Sequence, residues 1–134
     1  MAEKTAMEQT AGILRSALHL QFAELITKDK VADAQYLVGQ NPMNWLAEKP
    51  GNYAGEFFGD EPEDVASGEW YFDLQSRDLI YLVRNRKKNE SHVRIAFATK
   101  LLLKEKKSSE TDSAGVGKNV VGVVLEQIVP YVWE

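Results

Sequence analysis

Four carboxylates within five positions form the densest group of potential ligands in the chain: Asp60, Glu61, Glu63 and Asp64. Ca²⁺ is bound in proteins by several carboxylate and carbonyl oxygens, so this segment could form a calcium site. Pro62 interrupts the group, however, and no glycine stands inside it to make the sharp turn of a calcium loop. We therefore interpret the segment as a solvated acidic loop, with a calcium site as the alternative.

The histidines and cysteines do not predict a metal site. Neither His19 nor His92 has a neighbouring side chain at a metal-ligand spacing, and no HExxH motif occurs. The chain has no cysteine, which excludes disulfides, thiolate ligands and a cysteine nucleophile. We expect both histidines to be structural or solvated and no metal to be bound.

The glycines and basic residues that could bind phosphate also lack the required pattern. The stretch SAGVGKN has neither the full Walker spacing nor a helical pattern after it, and no GxSxG is present. The basic run RNRKK at 84–88 is short and lies between two predicted strands, which favours a solvated hairpin end. Without a catalytic constellation, the sequence predicts a protein that is not an enzyme and has no cofactor.

The size and charge of the chain favour one globular domain. With 134 residues, 44% of them hydrophobic, residues 1–134 can bury a core as a single domain. The formal net charge of −4 argues against a nucleic-acid partner. No apolar run approaches the ~18–20 residues of a membrane span, and the polar start MAEKTAMEQT does not look like a secretory signal.

Residues 1–28 are predicted to form one long helix that begins near residue 3, because apolar residues recur at steps of three and four. The side that we expect to pack on a sheet carries Leu14, Leu18, Phe22 and Leu25. The stripe is widened by Ile13, Ala17 and Leu20. Thr5 is the one residue that could cap the helix start. Two interpretations therefore stay open: the start frays, or the native helix continues upstream of Met1.

Residues 29–67 are predicted to connect the helix to the sheet. A second short helix is expected at 31–38, where Gly39 can end it. Asn41-Pro42 can cap and open a single helical turn, and Pro50-Gly51 makes a turn. The rest of this segment is predicted to be a loop.

Residues 68–134 are predicted to form the sheet. Residues 70–73 and 79–84 alternate as a hairpin around a turn at 74–77, and a third strand is expected from 93 to about 103. A polar loop at 104–118 precedes a β-branched fourth strand at 119–129. The chain is therefore predicted to be an α+β fold, with the long helix packed on an antiparallel sheet of about four strands.

The aromatic residues of the hairpin could form a binding platform or the centre of the core. We favour the core, because large side chains of one face can cover an amphipathic helix. That face carries Trp70, Phe72, Leu79, Tyr81 and Val83. Tyr71 points to the opposite face.

Several motifs, in order, resemble the type IV pilin and type II secretion pseudopilin superfamily. ILRSALHLQFAEL is similar to the second half of a pilin helix, and NPMNWLAEKPGNYAGEF to the loop that follows it in a group of pilin-like proteins. GEWYFDLQSRDLIYLVRN resembles the hairpin that comes next there, and VPYVW their C-terminal end. The sequence departs from the family pattern in two ways. It lacks the hydrophobic first half of the helix, with its cleavage site, and it lacks the C-terminal disulfide that many pilins have.

The resemblance implies a structural subunit of a type IV pilus or a type II secretion-like filament. Its partners would be other pilin or pseudopilin subunits, and the inner membrane through a segment that precedes this sequence. The domain would lie in the periplasm of a bacterial cell envelope, or outside the cell when assembled. The alternative function is a small periplasmic module that binds a ligand or a protein, which needs a concave apolar pocket with convergent polar groups.

The resemblance also implies a subunit interface in the loop between helix and sheet. We expect Trp45 to pack on the domain and the outer part of the loop, from Lys49 to Tyr53, to be available to a neighbouring subunit. The competing interpretation is that the aromatic residues of the loop serve only to hold it in place.

Overall fold

The computed structural model describes residues 2–59, 62–84, 93–105 and 118–129. Helix α1 spans Ala2–Thr27 and is followed by two 3₁₀ helices, Val31–Leu37 and Pro42–Trp45. Five strands complete the fold: β1 Tyr53–Phe57, β2 Trp70–Asp73, β3 Asp78–Leu82, β4 Arg94–Glu105 and β5 Lys118–Gln127. The predicted α+β class is confirmed, with an N-terminal helix and a sheet.

The predicted contact face of α1 lies in the core. Leu14 and Leu18 are fully buried, and Phe22 and Leu25 are half-buried against the same cluster. The prediction that Ile13 and Leu20 widen this buried stripe is wrong, because Ile13 is 57% and Leu20 is 71% exposed. At 3.6 residues per turn these two side chains lie on one line of the helix, away from the sheet.

Both ends of α1 are held by specific contacts. The Glu3 carboxylate Oε2 accepts hydrogen bonds from the Tyr81 hydroxyl at 2.6 Å and from the Arg84 backbone N–H at 2.5 Å. Thr5 lies inside the helix, so it is not the cap that the sequence suggested. At the other end Asp29 adopts a φ of 55°, and the Lys30 N–H bonds to the Leu25 carbonyl at 2.8 Å. This is the Schellman arrangement that usually employs glycine.

The sheet differs from the predicted antiparallel sheet of about four strands: it is mixed and has five, in the order β1-β2-β3-β4-β5. The additional strand, β1, lies in the segment predicted to be a loop and pairs in parallel with β2. The register shifts between Tyr53 and Gly55, and Gly55 has a φ of 122°. An irregular strand of five residues shows no period-two pattern, which is why the sequence did not indicate it.

The hairpin and the remaining pairings agree with the prediction. β2 and β3 pair antiparallel, with Phe72 opposite Leu79, and the turn covers residues 74–77. β4 ends two residues beyond the expected limit, and it pairs antiparallel with both β3 and β5. The short helix expected at 31–38 is the first 3₁₀ helix, and the turn after Asn41 is the second. Most of the loop at 104–118, the basic run beyond Arg84, and residues 130–134 lie outside the described residues.

Both faces of the hairpin are buried. Trp70, Phe72 and Tyr81 belong to the main core beneath α1, with the Trp70 ring centroid 5.1 Å from that of Tyr81. On the opposite face Tyr71 is 0% exposed, in a second cluster with Val65, Ile80 and Leu82. The segment between β1 and β2 crosses this face through Val65. The aromatic residues of the hairpin are therefore core and not a binding platform.

Candidate functional site

Trp45 packs on the domain, as predicted for the inner part of the helix-to-sheet loop. It ends the second 3₁₀ helix and is half-buried against the main core. Its indole Nε1 donates a hydrogen bond to Gln40 Oε1 at 3.1 Å. One edge of the indole therefore reaches the surface while the ring supports the core.

Tyr53 is tied to the domain more firmly than the sequence suggested. Its hydroxyl accepts a hydrogen bond from Asn41 Nδ2 at 2.7 Å, and the same amide donates to Glu56 Oε2 at 3.0 Å. Burial raises the pKa of Tyr53 above its usual value, the hydrogen bond from Asn41 lowers it, and the charge of Glu56 adds to the rise. These contacts support the interpretation that the aromatic residues hold the loop in place.

Lys49 lies at the exposed tip of the same loop. Lys49, Gly51 and Asn52 are exposed, and Asn52 Nδ2 donates to the Gly68 carbonyl at 3.0 Å. That bond fixes the tip against the turn before β2. Of the three residues assigned to the interface from the sequence, Lys49 is thus the one whose side chain projects into solvent.

A second surface lies on the outer side of α1, and three of its residues, Ile13, Ala17 and Leu20, were predicted from the sequence to widen the core stripe. We call it the open helix face and define it as Ala6, Thr10, Ile13, Ala17 and Leu20. Ile13 and Leu20 are more than half exposed, and their separation of seven residues aligns them along the helix. The charged residues Lys4, Glu8 and Arg15 lie on another flank of the helix. The signal that could have found this face is the heptad spacing of a second apolar stripe.

A shallow cleft lies between the C-terminal half of α1 and the first 3₁₀ helix. Its volume is about 320 Å³, and it is lined mostly by polar side chains, among them Gln21, Glu24, Lys28, Lys30, Asp33 and Tyr36. Lys28 Nζ lies 2.8 Å from Glu24 Oε1, and this hydrogen bond and the lysine charge lower the pKa of Glu24. The two charges at the rim therefore largely neutralise each other.

The carboxylates at the end of the hairpin serve the fold. Asp73 Oδ1 accepts from the backbone N–H groups of Gln75 at 2.8 Å and Gly59 at 3.0 Å. Burial raises the pKa of Asp73, but these hydrogen bonds, with further ones from Ser76, outweigh burial and hold it below its usual value. Burial raises the pKa of neighbouring Asp78. Asp73 thus fastens the turn and the end of β1.

Within the described ranges, no three histidine or acidic residues come close enough to hold a metal ion. Glu63 and Asp64 of the acidic loop are exposed, whereas Asp60 and Glu61 lie outside the described residues. His19 is exposed on α1, and His92 also lies outside. In the same part of the chain, no helix is both long and apolar enough to cross a bilayer.

Comparison of the chain with protein-family models, with curated proteins and with solved structures finds no match.

Proposed function

We propose that this chain is the globular domain of a pilin or pseudopilin, a structural subunit of a type IV pilus or a type II secretion-like filament. The observation that carries the proposal is the open helix face. A surface helix normally presents charged and polar residues to water on the side away from the core. Here Ile13 and Leu20 project from α1 instead, with Ala6 and Ala17 on the same side.

The chemistry of this face suits a second helix as the partner. Large aliphatic side chains spaced by seven residues can fit between the side chains of a facing helix, and small residues beside them let the two helices approach closely. Exposed apolar groups that line up in this way commonly mark sites of protein contact. A helix of a neighbouring subunit, which presents a different surface to this face in a head-to-tail contact, supplies such a partner.

The remaining parts of the proposal rest on the sequence motifs. Their order resembles that of the pilin superfamily over most of the chain, and a long N-terminal helix on a sheet is compatible with it. In the full-length protein a preceding segment would anchor the domain in the inner membrane, with the domain in the periplasm. Repeated head-to-tail contacts between subunits then generate an open helical filament, and no catalytic step is needed.

The test compares Leu20→Glu with His19→Glu in the full-length protein. Both positions are exposed on α1, but only Leu20 belongs to the open helix face. We expect Leu20→Glu to abolish filaments seen by electron microscopy, because it buries a charge in the contact, while His19→Glu assembles normally. Equal melting temperatures of the two purified domains show that folding is unaffected. Normal assembly of Leu20→Glu would contradict the proposal.

The helix-to-sheet loop calls for a separate variant. Tyr53→Ala would disturb the hydrogen bond from Asn41, so its effects on assembly and on stability would be mixed. Lys49→Glu changes an exposed charge at the tip and leaves these contacts intact. Loss of assembly by Lys49→Glu at an unchanged melting temperature supports a subunit contact through the loop. Normal assembly leaves the loop with its packing role alone.

The cleft beside α1 is the observation that supports the alternative, a small binding module. Its volume of about 320 Å³ is at the lower end for ligand pockets, which are usually lined by apolar side chains. Most of the side chains that line this cleft are polar or charged, and for this reason we rank the binding module second. Chemical-shift changes confined to the cleft on screening small polar ligands, together with unchanged assembly of Leu20→Glu, would reverse the ranking.

A further inference from the structure

Gly12 is a residue of α1 that the fold of the domain does not explain. It lies in the interior of a 26-residue helix, where glycine is less favourable than alanine because its backbone loses more conformational freedom on folding. A Cβ atom added at Gly12 would have open space around it, with no packed side chain of the described residues within 4 Å. The domain therefore has room for a side chain at this position and carries none.

The outer side of α1 around Gly12 is uncharged. Between Glu8 and Glu24 the only Asp, Glu, Lys or Arg is Arg15. Arg15 Nε donates a hydrogen bond to the Leu125 carbonyl of β5 at 3.1 Å, so this side chain is turned toward the sheet. A surface helix commonly presents charged residues to water, and an outer side without them over about four turns indicates a surface that another polypeptide covers.

Small and large side chains form two holes on this side of the helix. In helix packing a hole is enclosed by four residues at i, i+3, i+4 and i+7, and it receives one side chain of a facing helix. The first hole is enclosed by Gln9, Gly12, Ile13 and Ser16, and the second by Ile13, Ser16, Ala17 and Leu20. Ile13 is 57% and Leu20 is 71% exposed, so these two side chains stand above the small residues between them.

We infer that the first hole admits a large apolar side chain from a helix of the neighbouring subunit, and that Gly12 is the residue that makes room for it. The role of Gly12 rests on the filament contact proposed above and adds the point of closest approach. Without a Cβ atom at this position, the partner helix can come nearer to the backbone of α1. The helix stability that glycine forgoes is then a consequence of the contact, as is common at functional positions.

The experiment measures stability and assembly of Gly12→Ala and Gly12→Leu in the full-length protein. Both substitutions should raise the melting temperature, Gly12→Ala by about 2–4 °C, because they improve helix propensity and meet open space. Gly12→Leu should lower the number of filaments seen by electron microscopy by about tenfold or more, since an extra side chain overfills the packed contact. A purely structural role of Gly12 cannot produce these opposite changes. A Gly12→Leu protein that is more stable and assembles normally would overturn the inference.

Two further variants serve as controls. His19→Leu introduces the same side chain at an exposed position of α1 that belongs to neither hole, and it should assemble like the wild type. A loss of assembly in His19→Leu equal to that in Gly12→Leu would contradict a specific role of the hole. Assembly that is lost in Leu20→Glu but retained in Gly12→Leu would remove only the role of Gly12. Assembly retained in both would remove the helix contact of the proposed function as well.

Discussion

The buried side chain of Asn41 links the second 3₁₀ helix to β1. Its Oδ1 accepts from the Met43 N–H at 3.0 Å, and its Nδ2 donates to Tyr53 and Glu56. The sequence indicated the first role, as a helix cap. The two bonds to β1 could not be foreseen, because they depend on where an unrecognised strand lies.

Asn41→Ala should destabilise the domain by about 1–3 kcal/mol, since it removes these bonds and leaves buried groups without partners. Asn44→Ala, which changes an exposed asparagine within the 3₁₀ helix that Asn41 caps, is the matched control and should change stability little. Urea unfolding of both variants measures the difference. Equal stabilities would show that the amide of Asn41 contributes nothing net.

The raised pKa of Tyr81 predicts that the folded protein loses stability at alkaline pH. Burial raises the pKa of its hydroxyl, and the hydrogen bond to Glu3 and the charge of Glu3 raise it further. A raised folded-state pKa contributes stability that is fully present below the unfolded value of about 10 and is lost as pH rises above it. Unfolding free energies of the wild type should therefore fall above about pH 10.

Tyr81→Phe isolates this contribution. It should be less stable than the wild type at neutral pH, because the buried Glu3 carboxylate loses one donor. Above the tyrosine pKa the two stabilities should converge, since the wild type must then lose its own proton or unfold. Parallel pH profiles would assign the alkaline loss to another group, with Tyr53→Phe as the next variant to measure.

At the scale of single elements, α1 carries two apolar stripes, one that packs against the core and one that is exposed to solvent. Leu18 is fully buried against the sheet, while Leu20 is 71% exposed on the open helix face. Leu18→Ala should cost about 2–5 kcal/mol through lost burial and the cavity left behind. Leu20→Ala should stay within about 0.5 kcal/mol of the wild type. Thermal or urea unfolding distinguishes them, and similar losses would contradict the packing described for α1.

At the scale of the whole molecule, the isolated 134-residue chain should be monomeric. The open helix face offers two large aliphatic side chains, much less than the roughly 1,200 Å² that a stable interface buries. Analytical ultracentrifugation in the micromolar range checks this. A tight dimer of the wild type would point to a different mode of assembly.

The elements with a strong local pattern were determined by the sequence itself. The periodic stripe predicted α1 within one residue of its start, and the alternation and turn residues of 70–83 predicted the hairpin and its core face. Asn41-Pro42 predicted the second 3₁₀ helix. Each of these depends on residues within a few positions of one another, where spacing alone fixes which side chains share a face.

Only the tertiary structure decided what each face meets. Periodicity gives the angle of a side chain about its own element and not the partner, so it could not separate Ile13 and Leu20 from the core stripe of α1. It could not show that the segment after β1 covers Tyr71, or that β1 pairs in parallel with β2. The contact of Arg15 with Leu125 likewise joins parts of the chain that the fold alone brings together. Such long-range contacts leave no local spacing in the sequence from which they could be predicted.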